Sequence, residues 1–171
     1  EGRDLRLRSP RRMLSPMNPS VEAYAFIDNN SAILEVFGCW PGFHDGEVHR
    51  VAMDRTRRHA SGAYYPSIEL TIRGWNITSD VTEDGFYRLE ADSLVQFLFE
   101  EVTEVEFDGL NHQNVLSSLD FELETVEGDE APLLSVELCH CYGLSGSFKA
   151  RRASVVCVAP FAEQPFGPRN I

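Results

Sequence analysis

Ser67-Ile68-Glu69-Leu70-Thr71-Ile72-Arg73 is the stretch that decides the fold of this chain. On an extended backbone successive side chains alternate, so Ile68, Leu70 and Ile72 share one face and Glu69, Thr71 and Arg73 the other. A helix would scatter the same residues around its circumference. The segment, followed on to Thr78, therefore predicts a half-buried strand. Leu119, Phe121 and Leu123 repeat the pattern against Asp120, Glu122 and Glu124, an acidic solvated face. Leu134, Val136 and Leu138 alternate again, and Phe148–Val158 reads as a returning strand. Between Ser93 and Phe107, Val95, Phe97 and Phe99 share a face, with Val105 and Phe107 following after Glu100-Glu101; two short strands or one bent strand both fit. Glu47–Asp54 is a further strand, ended by the charged loop Arg55–Ala63. Asp84-Gly85, Glu127–Pro132 and Gly143–Gly146 supply turns, the first leading into Phe86–Leu89 as a hairpin partner.

One helix interrupts this rhythm. Asn30-Ser31 stands where a cap belongs, Ile33, Leu34 and Phe37 follow at helical spacing, and Gly38 and Pro41 stop it. About eight strands with no βαβ alternation predict a mainly β domain. It is an antiparallel β-sandwich or curved sheet carrying one short N-terminal helix. A single domain is expected over 21–160. A flexible basic arm is expected over 1–20, as upstream sequence ahead of Met13 or Met17, and an extended Pro-rich tail over 161–171.

The 171 residues suffice for one sizeable core, with eleven Phe, five Tyr and two Trp to fill it. No apolar run approaches the roughly 20 residues of a membrane span, and none in 1–20 has signal-peptide length, so a cytoplasmic protein with no membrane partner is expected. The net charge of −12 is unevenly placed: residues 1–20 carry five Arg against Glu1 and Asp4, leaving the remainder at −15. Such a body repels phosphates, which argues against nucleic acid and suits a basic protein partner. Cys39, Cys139, Cys141 and Cys157 contain no CxxC pair and read as reduced thiols.

Chemistry-capable side chains gather at Gly38-Cys39-Trp40-Pro41-Gly42-Phe43-His44-Asp45-Gly46-Glu47-Val48. His44, Asp45 and His49 could ligate a metal if they converged, with His112 as a further group for metal or acid–base work. The competing reading is a turn in which Asp45 caps backbone N–H groups and His44 bonds locally. Asn111-His112-Gln113-Asn114 is a second polar cluster. It reads as a ligand-binding loop, a group that orients His44, or a loop whose amides satisfy buried backbone. Cys139-His140-Cys141 places its thiols and imidazole on opposite faces of a strand. No nucleophile elbow, phosphate loop or dinucleotide fingerprint occurs.

Glu35–Val48 resembles the bacterial immunity protein 50 family. Members carry an aromatic, Pro, a small residue, Phe-His-Asp and an acidic residue just before the first strand. The likeness continues through Met53-Asp54-Arg55, Pro66–Ile72, Asn111–Val115 and Tyr142–Phe148, from about Asn29 to Pro160. Phe43-His44-Asp45 and Asn111–Asn114 are its specific parts, while the basic arm and the loop at 55–63 depart from it. The resemblance implies a cytoplasmic antidote that binds and blocks a cognate bacterial toxin, without catalysis or cofactor. Trp40, Phe43, His44, Asp45, Glu47 and Asn111–Asn114 then form a cluster that is structural or partner-contacting. Candidate toxin-facing residues are Glu122 and Glu124 with aromatic anchors Trp75, Tyr64 and Tyr65. A metal-dependent or acid–base enzyme and a small-ligand or structural β-module are the alternatives.

Overall fold

The alternating stretches all become strands. The computed structural model describes residues 23–125, 128 and 131–162. After a short 3-10 turn at Tyr24–Phe26 comes helix α1 (Ser31–Phe37), then β1 (Glu47–Asp54), β2 (Ser67–Val81), β3 (Tyr87–Glu100), β4 (Thr103–Asp108), β5 (Val115–Glu124), β6 (Leu133–Tyr142), β7 (Ser145–Ala150) and β8 (Arg152–Pro160). All pair antiparallel in one sheet of order β4-β7-β6-β5-β1-β2-β3-β8. The basic arm over 1–20, half of the 127–132 turn and the tail beyond Ala162 lie outside the described residues.

Curvature turns this one sheet into a sandwich. Phe97 on β3 and Phe121 on β5 are three strand positions apart, about 14 Å in a flat sheet. Their ring centroids are 6.2 Å apart. Phe99 on β3 and Phe148 on β7 are five positions apart, about 24 Å if flat, yet their rings sit 4.9 Å apart. The sheet is therefore folded into two leaves, β4-β7-β6-β5 and β1-β2-β3-β8, with their apolar faces together. Ile68, Leu70 and Ile72 meet Val95, Phe97 and Phe99 on one leaf; Leu119, Phe121, Leu134, Val136, Leu138 and Phe148 line the other. Sandwich and curved sheet, alternatives in the sequence, are here the same object.

Two seams join the leaves. At one, the chain crosses between them at Glu101-Val102 and at Arg151. Of the two alternatives for Ser93–Phe107 the structure takes the two strands, β3 and β4, and sets them on separate leaves. The returning strand read at Phe148–Val158 divides likewise into β7 and β8. The Arg151 N–H donates to the Glu100 carbonyl at 3.2 Å and the Val102 N–H to the Pro66 carbonyl at 3.1 Å, closing the bend. At the other seam β1 and β5 share the single partner pair Glu47↔Val115. The helix packs against β8 and β3 with Ile33 and Phe37 buried, and it stops at Gly38 (φ 75°). Asn30 sits at its start, but its side chain caps no helical N–H. It donates instead to the Ile27 carbonyl at 2.9 Å, tying down the preceding turn.

Candidate functional site

The thin β1–β5 seam is where both polar clusters of the sequence come to rest. Phe43 (φ 54°) and Asp45 (φ 60°) adopt the left-handed conformation that non-glycine residues avoid. The backbone recovers that strain in a ladder of its own. Asp45 N–H donates to Leu116 O (2.9 Å), Leu116 N–H to Gly46 O (2.8 Å), Val48 N–H to Asn114 O (2.8 Å) and Leu119 N–H to Gly42 O (3.1 Å). The turn drives the Phe43 ring inward, where it is buried and meets Phe97 edge-on at 5.9 Å. Trp40 stacks on Tyr24 at 4.9 Å and turns its edge to Phe121 at 5.9 Å. Phe43 and Trp40 are thus the apolar plugs of the corner.

The polar members of the same stretch face outward. His44 Nδ1 lies 2.9 Å from the Ser117 carbonyl, a bond from one side of the seam to the other. This is not the local bond expected of the turn, and its partner lies outside the Asn111–Asn114 loop. The His44 ring is largely exposed, with its Nε2 3.8 Å from the Asp45 carboxylate. Glu47 and His49 do share a side, at 3.5 Å, and the His49 ring meets Phe161 edge-on at 5.6 Å. Among the described residues no group of three or more His, Cys, Asp and Glu side chains converges as a metal would require.

Asn114 organises the second cluster. Its Oδ1 accepts from the Asn111 N–H at 2.9 Å and the Leu144 N–H at 3.0 Å, and its Nδ2 donates to the Asn111 carbonyl at 2.9 Å. It is buried and pins the 109–114 loop to the β6–β7 turn. Gly143 in that turn has φ 80°, and a Cβ there would come 2.4 Å from the Gln113 carbonyl oxygen. Asn111 caps the His112 N–H at 2.8 Å, and the His112 ring meets Tyr142 at 6.2 Å. The loop is thus one whose amides satisfy backbone. Together with Glu47–Val51 it walls an open cleft of about 530 Å³, so the two clusters do become neighbours.

The toxin-facing candidates separate. Trp75 lies on β2, with the Arg73 guanidinium 5.3 Å from its ring, whereas Glu122 and Glu124 lie on β5 in the other leaf. Tyr64 stacks under Arg58 at 4.0 Å and Tyr65 donates to Glu100 at 3.3 Å, both on the loop beside β2.

Strand order creates a charged surface around Glu122. Pairing aligns Asp120, Glu137, Ser147 and Glu106 in one row across β5, β6, β7 and β4. The four strands of this leaf hold seven carboxylates (Glu104, Glu106, Asp108, Asp120, Glu122, Glu124 and Glu137) and one Lys or Arg, Lys149. Its ammonium bridges Glu124 at 2.8 Å and Glu104 at 2.9 Å. Those two bonds hold its pKa above the ordinary lysine range. A shallow groove of about 790 Å³ between Glu106, Asp108 and Glu137 crosses the face, with Cys139 at its side. Burial first, then the neighbouring Glu137 and Asp120, pushes the Cys139 thiol up, which keeps it protonated and poorly nucleophilic.

The strands of the other leaf hold seven carboxylates against four arginines, and ion pairs knit much of that charge together. Arg50 pairs with Glu69, Arg57 with Glu100 at 3.4 Å, Arg73 with Asp92 at 2.7 Å and Arg152 with Glu101 at 3.3 Å. The larger acidic surplus therefore lies on β4-β7-β6-β5. The immunity protein 50 family model matches residues 29–161, which takes in both leaves, the corner and the cleft.

The chain belongs to the immunity protein 50 family. As a member it is an immunity protein, and the match spans both clusters that carried the resemblance in sequence. No curated protein and no solved structure matches the chain. Sequence reading placed the acidic surface on Glu122 and Glu124 and missed Glu104, Glu106, Asp108 and Glu137. The first three fall at alternate positions of Thr103–Asp108, a signal that was present, but what joins them to β5 is strand order.

Proposed function

We propose that this immunity protein binds and neutralises a cognate toxin by occlusion, with no catalysis of its own. The acidic outer face of β4-β7-β6-β5 draws in a basic partner. The observation that carries this reading is the uneven placing of cations: seven carboxylates stand against one ammonium on this leaf, and against four arginines on the other. A surface with an excess of one charge accelerates association with an oppositely charged partner and repels nucleic acid. The corner clusters are read as architecture. His44, Asp45 and His49 do not gather into one ligand group among the described residues, and Asn114 spends its side chain on backbone groups. A cytoplasmic site of action follows if the partner acts there.

The test is co-expression with the toxin domain encoded beside this gene. Wild type is expected to restore growth and to bind in vitro with an association rate that falls steeply with salt. The triple change Glu106→Gln, Glu122→Gln, Glu137→Gln is expected to lower that rate about tenfold at low salt and to flatten its salt dependence. No rescue of a toxin that kills would refute the immunity reading. Rescue with an unchanged rate and salt slope would refute the acidic face.

A further inference from the structure

The strands β2 and β3 run well past their neighbours. β1 covers β2 up to Arg73, and β8 covers β3 down to Ser93. Beyond them Asn76↔Glu90, Ile77↔Leu89 and Val81↔Tyr87 pair with each other and with no further strand among the described residues. This two-stranded arm projects roughly 15–20 Å at about 3.3 Å per residue. A bulge sits at its root, where the pairing shifts between Gly74 and Asn76 and Ala91 takes φ 55°. Bulges re-aim the strands that follow them. The root is fastened to the helix by the Asn76 amide, which donates to the Phe37 carbonyl at 2.9 Å.

The tip is built rather than frayed. Thr82 N–H donates to Phe86 O at 2.7 Å, Gly85 N–H to Thr82 O at 2.9 Å, and the Thr82 hydroxyl accepts from Phe86 N–H at 3.2 Å. Thr78 braces the opposite strand through its hydroxyl, which donates to Arg88 O at 3.0 Å. A two-stranded hairpin is marginal in water unless its apolar face is covered, and this one leaves that face open. Five of the thirteen large apolar side chains that stay exposed among the described residues fall here: Ile77, Val81, Phe86, Tyr87 and Leu89. Residues directly opposite share a face, so Ile77 sides with Leu89 and Val81 with Tyr87, on either side of a second register shift between Ile77 and Val81, and Phe86 follows at the end. Phe86 is 72% exposed and Tyr87 63%.

We infer that this arm is the anchoring element of the interface and inserts into a basic cleft of the toxin that has apolar walls. The inference rests on the immunity reading above. Charge selects the occupant. Asp80, Glu83, Asp84 and Glu90 outnumber Arg88 on the arm, so two arms of two copies repel, and so does an anionic lipid surface. A cleft lined with Lys or Arg, as an enzyme acting on a polyanion needs, accepts both the carboxylates and the aromatic end. Aromatic side chains in such desolvated pockets carry most of the energy of protein interfaces. The acidic leaf need not touch the same cleft, because steering acts across about a Debye length of 10 Å.

The experiment compares full-length wild type with Phe86→Ser/Tyr87→Ser against the toxin domain encoded beside this gene, using calorimetry, growth rescue and hydrogen exchange of the 77–89 amides. Both side chains are exposed, so unfolding midpoints are expected to agree, and the hairpin is checked by its exchange pattern in the free protein. Support is a loss of affinity of about 100-fold or more, loss of rescue, and slowed exchange in the arm when toxin binds wild type. Wild-type binding with the double variant within about threefold, or with arm exchange unaltered, overturns the arm while leaving the immunity reading intact. No binding by wild type overturns both. A wild-type dimer that the double change dissolves, or wild type that partitions onto phosphatidylcholine vesicles through these two residues, assigns the arm elsewhere and also overturns the inference.

Discussion

Asn114→Ala should unfold the corner more than it disturbs any partner. The side chain makes three hydrogen bonds, at 2.9, 3.0 and 2.9 Å, to backbone groups of Asn111 and Leu144. Each is worth about 1 kcal/mol net. The Leu144 N–H sits at a residue that is 2% exposed, so water does not readily replace its acceptor. The Asn111 groups are nearer solvent and recover part of theirs. The expected loss is about 2–4 kcal/mol, a large share of the roughly 5–15 kcal/mol that holds a domain together. In a chain of this size it corresponds to a fall in Tm of about 10 °C. Urea unfolding followed by tryptophan fluorescence measures it, with Asn114→Asp as companion. The aspartate keeps both N–H acceptors but sets an oxygen against the Asn111 carbonyl, so it should fall between wild type and alanine. Toxin affinity per folded molecule should stay within about threefold for both. A loss below about 1 kcal/mol for alanine at unchanged m-value would refute the pin, and intact stability with lost binding would make the loop a contact surface.

Further outcomes follow from the same geometry. Phe43→Ala empties the space against Phe97 and should cost about 3–5 kcal/mol, read as a lowered urea midpoint; a change under about 1 kcal/mol would mean the ring does not plug the corner. Gly143→Ala forces a Cβ to 2.4 Å from the Gln113 carbonyl oxygen at φ 80° and should destabilise through the same loop, so its effect and that of Asn114→Ala should be less than additive in a double-mutant cycle. Lys149 gains two carboxylate partners on folding, so its folded pKa lies above the ordinary value of 10.5. Its contribution is fully present below that value and is lost as pH rises through the folded pKa. The stability gap between wild type and Lys149→Met should therefore close only above pH 10.5, and closure by pH 9 would contradict it. Zinc in solution should shift Tm by less than about 1 °C, since a bound metal at 100 times its Kd adds about 2.7 kcal/mol; a shift of several degrees would restore the His44, Asp45, His49 metal reading.

Much of the fold was legible because period-two alternation is a property of neighbours along the chain. Glu47–Asp54, Ser67 onward and Leu119–Glu124 emerge as β1, β2 and β5 for that reason, and Ser31–Phe37 as α1. The errors fall where the backbone changes leaf. The apolar alternation shifts phase at Glu100-Glu101 and at Arg151-Arg152, but a bulge inside one strand shifts it in the same way, so β3 with β4 read as ambiguous and β7 with β8 as single. The corner was visible as a dense polar and aromatic stretch, but not its division of labour. Phe43 and Asp45 are left-handed against their own preference, and only the ladder to Leu116 and Asn114 makes that conformation worth holding.

What the sequence determined by itself is local: β class, the helix, the apolar faces, the net acidity and the family, each encoded in short spacing or in residue identity. What only the tertiary structure decided is which distant segments are brought side by side. Strand order set Glu106 and Glu137 in a row with Asp120, and left the 77–89 hairpin with no further strand beside it among the described residues. It also turned two polar motifs, 73 residues apart at the His44–Ser117 bond, into the two sides of one seam. Pairing between strands is chosen by the packing of the whole core against the cost of closing long loops. That competition has no signature in any single stretch of the chain.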